Sequence, residues 1–174
     1  MRKAVFAFFA VVAVLAMPAT SSAQLQVGPF LAFHDDADLG IGAFVGVPVA
    51  SIHEDLSFVG DFGFFFPSGG EHGGVEVDVD YWELNANGLF KFPMAEQPFT
   101  PWVLAGLNVA NGSAGVDLGE LGSASASDTE IGLNVGGGMT FGEGPMSPFV
   151  GAKFELGGGE GAVIFGGLSF VVGG

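Results

Sequence analysis

Apolar and polar residues alternate along most of this chain with a period of two. From Tyr81 to Phe92 the even positions are Trp82, Leu84, Ala86, Gly88, Phe90 and Phe92, and the odd positions are Tyr81, Glu83, Asn85, Asn87, Leu89 and Lys91. Successive side chains of a strand point to opposite faces, so this segment reads as one strand with an apolar face and a face of Glu, Asn and Lys. The same rhythm predicts eight strands, at 25–34, 39–49, 56–66, 77–92, 100–110, 129–141, 147–157 and 161–172. Most reach the roughly ten residues that a tilted strand needs to cross a bilayer.

The breaks between these strands alternate in character. Compact connections at 50–55, 93–99 and 142–146 follow strands two, four and six, whereas longer polar loops at 67–76 and 111–128 follow strands three and five. The remaining two, 35–38 and 157–160, are short. This layout predicts an antiparallel up-and-down meander with both termini on the short-turn side.

Each strand has one register without charge, such as Leu31 and Phe33, Ile41 and Val45, Phe58 and Phe62, Val103 and Leu107, or Ile131, Leu133 and Val135. The opposite register is small and polar, dominated by Gly and Asn. It carries six charges: Asp61, Glu83, Lys91, Glu130, Lys153 and Glu155. It also holds Asn85, Asn87, Asn108 and Asn134, together with the aromatics Phe30, Phe44, Phe65, Trp102, Phe149 and Phe165.

Composition narrows what these faces meet. Arg2 and Lys3, an apolar run from Ala4 to Met17 and a small-residue ending before Gln24 form the pattern of a secretory signal peptide over 1–23. One domain is expected over 24–174. The leader holds two of the four basic residues and none of the 19 acidic ones, so the remainder has only Lys91 and Lys153 as cations and a net charge of −17. Such a chain has no basic patch with which to bind nucleic acid. It has no cysteine, so an exported fold here needs another source of stability than disulfides. Mean hydropathy is +0.53, yet the strands are short and punctuated by 31 glycines.

A closed eight-stranded sheet admits two arrangements. A soluble lipocalin-like ligand carrier would turn the apolar register inward, and a membrane barrel would turn it outward. Eight strands enclose a space just wide enough for side chains. The Gly/Asn register fits that space, whereas the Phe/Leu/Trp register would overfill it at about 1–3 kcal/mol per misfit. The polar register is also too poor in charge to solubilise a protein, since soluble surfaces carry about a quarter to a third charged residues. An all-β, eight-stranded antiparallel up-and-down transmembrane β-barrel is therefore predicted.

In this pattern, and in segments such as "PWVLAGLNV" (101–109), "IGLNVGGGMTF" (131–141) and "PFVGAKFEL" (148–156), the chain resembles the small eight-stranded outer-membrane β-barrels of Gram-negative bacteria, of the OmpA, OmpX and OmpW type. The resemblance covers 24–174. It implies an outer-membrane location, with membrane lipid and the barrel assembly machinery as partners. It does not imply wall anchoring, because no peptidoglycan-binding domain follows. Such barrels commonly end on an aromatic residue, whereas "LSFVVGG" places Phe170 four residues from the end.

The chemistry open to the lumen register is charge pairing. Lys91 and Lys153 have Glu83, Glu130, Glu155 and Asp61 as candidate partners, because buried charge is costly unless paired. With the four asparagines these form an expected polar plug. The alternative is a narrow channel for hydrophobic or polar solutes. His34, His53 and His72 fall at strand ends or loops with no Ser or Asp partner at a catalytic spacing, so they read as solvated and no enzyme is expected. No cofactor or lumen metal is expected either. The acidic stretches 34–38 and 76–80 read as a negative rim able to meet divalent cations at a lipid surface. Loops 67–76 and 111–128 are the candidate contacts for an extracellular partner.

Overall fold

The computed structural model describes residues 24–67, 71–72, 75–117, 122–142, 144–157 and 160–173, so the expected leader 1–23 lies outside the described residues. The strands are β1 (Leu25–His34), β2 (Asp38–Pro48), β3 (Leu56–Phe65), β4 (Glu71–His72), β5 (Val75–Lys91), β6 (Phe99–Asp117), β7 (Ser123–Phe141), β8 (Met146–Leu156) and β9 (Gly161–Val172). β4 is a two-residue stub paired to the start of β5. The other eight strands form one closed antiparallel ring. β3 pairs with β5 and β1 with β9, which removes both edges of the sheet. Closure gives backbone groups within the ring a partner, the condition for spanning hydrocarbon with strands.

The two registers separate as the alternation requires. Ile131 is 71% exposed, Phe154 62% and Leu133 53%, whereas Asn108 is 0% and Glu83 1% exposed. The protein thus has a greasy exterior and a polar interior. Around Phe65, Val163, Ala32 and Ala37 a small apolar core closes one end of the lumen, with Phe30, Tyr81 and Phe165 packed against it. Glycine makes room for the larger rings: a Cβ at Gly138 or Gly151 would overlap the Trp102 indole. Asp38 takes a left-handed conformation (φ 59°) to turn the chain into β2, as Asp does more readily than most residues.

One expectation is corrected. Residues 111–128 were predicted as a polar loop, but 111–117 belong to β6 and 123–128 to β7, paired in register from Asn111↔Thr129 to Asp117↔Ser123. Residues 118–121 lie outside the described residues, as do 68–70 and 73–74 of the predicted loop 67–76. The physical reason is that "SASAS" at 123–127 keeps a period of two even without apolar residues, and its small side chains permit a continuous ladder. β5, β6 and β7 therefore run past the ring. β3 stops at Phe65 opposite Tyr81, and β8 stops at Leu156 opposite Leu133. Beyond those points the three strands form an extension on the loop side.

Candidate functional site

The lumen network is organised by β5, whose odd positions send Glu83, Asn85 and Asn87 inward. Pairing of Asp61 with Asn85 and of Asn85 with Asn108 puts one polar side chain from each of β3, β5 and β6 at a single level. The Asn85 amide donates to Asp61 Oδ1 at 2.7 Å, and the Asn87 amide donates to Asp61 Oδ2 at 3.3 Å. The Asn108 amide donates to Asn85 Oδ1 at 3.0 Å. Asn134 donates to Asn85 Oδ1 at 2.8 Å and to Asn87 Oδ1 at 3.1 Å, so one amide bridges two carbonyls. Four asparagines and one aspartate thus tie β3, β5, β6 and β7 together across the barrel.

Toward the loop side the network becomes ionic. Lys153 Nζ lies 2.9 Å from Glu83 Oε2 and 2.6 Å from Glu155 Oε1. Lys153 is 6% exposed and both carboxylates 1%. In a site this buried the mutual attraction is strong, and removing either sign leaves an uncompensated charge. The two lysines take different partners: Lys91 lies nearer the short turns on β5 than Glu83, and its ammonium donates to Gln26 Oε1 at 3.4 Å. Glu130 keeps the inward phase but is exposed, because β8 ends opposite Leu133 and leaves that part of β7 uncovered.

His34 corrects a second expectation. It was read as solvated, yet it is 2% exposed and lies in the lumen. Its Nε2 is 3.8 Å from Glu83 Oε1 and 3.9 Å from Glu155 Oε2, and its ring meets Phe65 and Tyr81 edge-on. The signal was present in the sequence, since His34 continues the inward phase of Gln26, Gly28, Phe30 and Ala32. Its place next to the acidic turn concealed that phase. His53 does meet solvent, at the opposite end beside Asp55. The side chain of His72 lies outside the described residues, as do those of 76–78. Asp35, Asp36 and Asp80 are exposed.

Below the network the lumen is less filled. A cavity of about 90 Å³ is lined by the aromatics Phe30, Phe44, Trp102, Phe149 and Phe165 and by the polar Asp61, Asn87 and Lys91, and it reaches Glu83 and Lys153 of the network. It shares Gln26, Lys91, Thr140 and Ser169 with a second hollow of about 200 Å³ at the short-turn end. Phe165 is the hub of its aromatic wall, stacked on Trp102 at 6.1 Å and edge-on to Phe30 and Phe149.

An eight-stranded meander with this inside-out polarity defines the class of small transmembrane β-barrels. Solved structures place the chain beside outer-membrane examples of that class. It is similar to a major outer membrane protein from Thermus thermophilus (TM-score 0.69, 12% identity, covering 87% of this chain and 100% of that one). It is also similar to the N-terminal β-barrel domain of Pseudomonas aeruginosa OprF (TM-score 0.61, 13% identity, 87% and 100%). A third is Ail, the attachment invasion locus protein of Yersinia pestis, solved in complex with the heparin analogue sucrose octasulfate (TM-score 0.53, 16% identity, 86% and 96%). At these identities the likeness is one of fold. No protein-family model matches the chain, and no curated protein matches it in sequence.

Proposed function

We propose that this protein is an exported outer-membrane barrel with a structural or surface-interaction role, inserted through its apolar exterior and closed inside by the polar network. The observation that carries this reading is the burial of the lumen toward its loop end: His34, Glu83, Asn108, Asn134, Glu155, Phe65 and Val163 are each at most 2% exposed. A filled lumen leaves the lipid face and the extension of β5–β7 as the surfaces available for work. The fold likeness supports the same setting, with outer-membrane lipid and the barrel assembly machinery as partners and residues 1–23 as the export signal. The acidic balance of the chain disfavours a polyanion such as the one seen with Ail and favours a neutral or basic extracellular partner at 67–76 and 111–128. No catalytic role is part of this reading.

The cavity beneath the network favours a second reading, a narrow channel or solute site entered from the short-turn side. Planar-bilayer recording on the purified protein separates the two. The plugged barrel is expected to give no unitary current steps, and reproducible steps of one size would make the channel reading the better one.

A further inference from the structure

The two carboxylates that flank Lys153 each use one oxygen on the lysine and turn the other toward His34. Those outward oxygens, Glu83 Oε1 and Glu155 Oε2, have no hydrogen-bond partner, and neither does His34 Nε2, although all three residues are buried. Three unpartnered polar atoms converging in a buried site are unusual, because buried polar groups are nearly always satisfied. The cluster is also unbalanced. Asp61, Glu83 and Glu155 face one lysine, which leaves two negative charges when all are ionised.

We infer that His34, Glu83 and Glu155 form a divalent transition-metal site at the loop end of the lumen. Ligand atoms of these three residues all lie within 4.8 Å of one another, with the imidazole nitrogen 3.8 and 3.9 Å from the two oxygens. A point equidistant from atoms so spaced is about 2.2–2.5 Å from each, close to the ~2.0–2.2 Å of zinc–nitrogen and zinc–oxygen bonds, so loading requires only a small contraction. One imidazole with two carboxylates suits zinc or its neighbours better than magnesium, which prefers oxygen ligands and keeps its waters. A charge of +2 would neutralise the cluster, which a monovalent ion would not.

The tautomer of His34 bears on this directly. Its Nδ1 accepts a hydrogen bond from the Asp36 backbone N–H at 2.9 Å, which places the ring proton on Nε2. Metal binding at Nε2 moves that proton to Nδ1, which breaks this bond and requires the Asp36 N–H to turn away from a second donor. Asp35 Oδ1, 3.3 Å from Nδ1, is in place to accept it, the arrangement commonly found behind a metal-bound histidine. Asp35 is 54% exposed, so the same side chain connects the site to the outer solvent.

The test uses the full mature chain folded in detergent, titrated with Zn²⁺ alone by calorimetry and followed by thermal unfolding. The expected result is one Zn²⁺ per chain and a raised Tm, with Mg²⁺ at the same concentration inactive. Glu155→Gln keeps the shape and is expected to weaken binding at least tenfold, and His34→Ala to abolish it, whereas His53→Ala at the opposite end leaves it unchanged. Should His34→Ala fail to fold, Glu155→Gln and the ligand-field spectrum of bound Co²⁺ decide. Absence of one-to-one binding overturns the site, as does equal binding by wild type and Glu155→Gln or an octahedral Co²⁺ spectrum of oxygen ligands alone. A conductance result against the plugged barrel would leave this outcome unaffected.

Discussion

At the scale of single residues, Lys153 is the point on which the ionic half of the lumen balances. Both Glu83 and Glu155 approach its ammonium within 3 Å, and all three side chains are buried. Lys153→Met keeps most of the stem and removes the charge. It is expected to destabilise the barrel by about 3–5 kcal/mol, the cost of leaving buried carboxylates unpaired. Adding Glu155→Gln removes one of those charges, so the double variant should be more stable than the sum of the two single losses, with a coupling of about 1–3 kcal/mol. Urea unfolding of the four chains in lipid vesicles measures it. Additive losses would mean that Lys153 and Glu155 do not sense one another. Pairing of these residues was readable from phase and sign, since the lumen register offers few cations. The choice of partners was not. Whether Lys91 or Lys153 takes Glu83 depends on stagger around the ring, and stagger is set by pairings between strands distant in sequence.

At the scale of elements, the eight strands were legible because each carries a long unbroken alternation that a one-residue slip would turn inside out. Their ends were legible only where polarity changed together with structure. β6 and β7 continue to Asp117 and from Ser123 through segments of Gly, Ser and Ala, where side chains no longer distinguish a lipid face from a lumen face. Nothing apolar marks the continuation, so a composition-led reading stops near Ala110. The extension gives the molecule a defined outer end, and that is testable because the chain has no native cysteine. Ser125→Cys lies on exposed β7 in the extension, and Gln97→Cys lies on the exposed turn between β5 and β6. A membrane-impermeant maleimide added to intact cells should label the first and spare the second until the outer membrane is opened. The reverse pattern would invert the orientation and place the extension, with its candidate partner site, on the inner side.

At the scale of the whole molecule, the two faces of the sheet assign two solvents, and the exterior is the more decisive. Val135 lies on β7 between Ala105 and Phe154 in the ladder, roughly midway along the apolar band, and is 51% exposed. If this outward face met water, an arginine there would join an already hydrated surface and change stability by no more than about 0.5 kcal/mol. In a bilayer the same arginine must hold a charge near the hydrocarbon midplane, at about 2–4 kcal/mol. Ser125→Arg on the extension provides the comparison, because that position lies beyond the ring where water is expected. Folding free energies in vesicles should therefore fall by about 2–4 kcal/mol for Val135→Arg and stay nearly unchanged for Ser125→Arg. Equal small effects at both sites, with the Val135→Arg protein remaining in the aqueous fraction, would mean that this outward apolar face meets water rather than lipid. A large loss at Val135 alone requires apolar surroundings, which for a side chain on the outer face of the ring means lipid, and the parity of the strand then carries Asn134 and the rest of the polar network into the lumen.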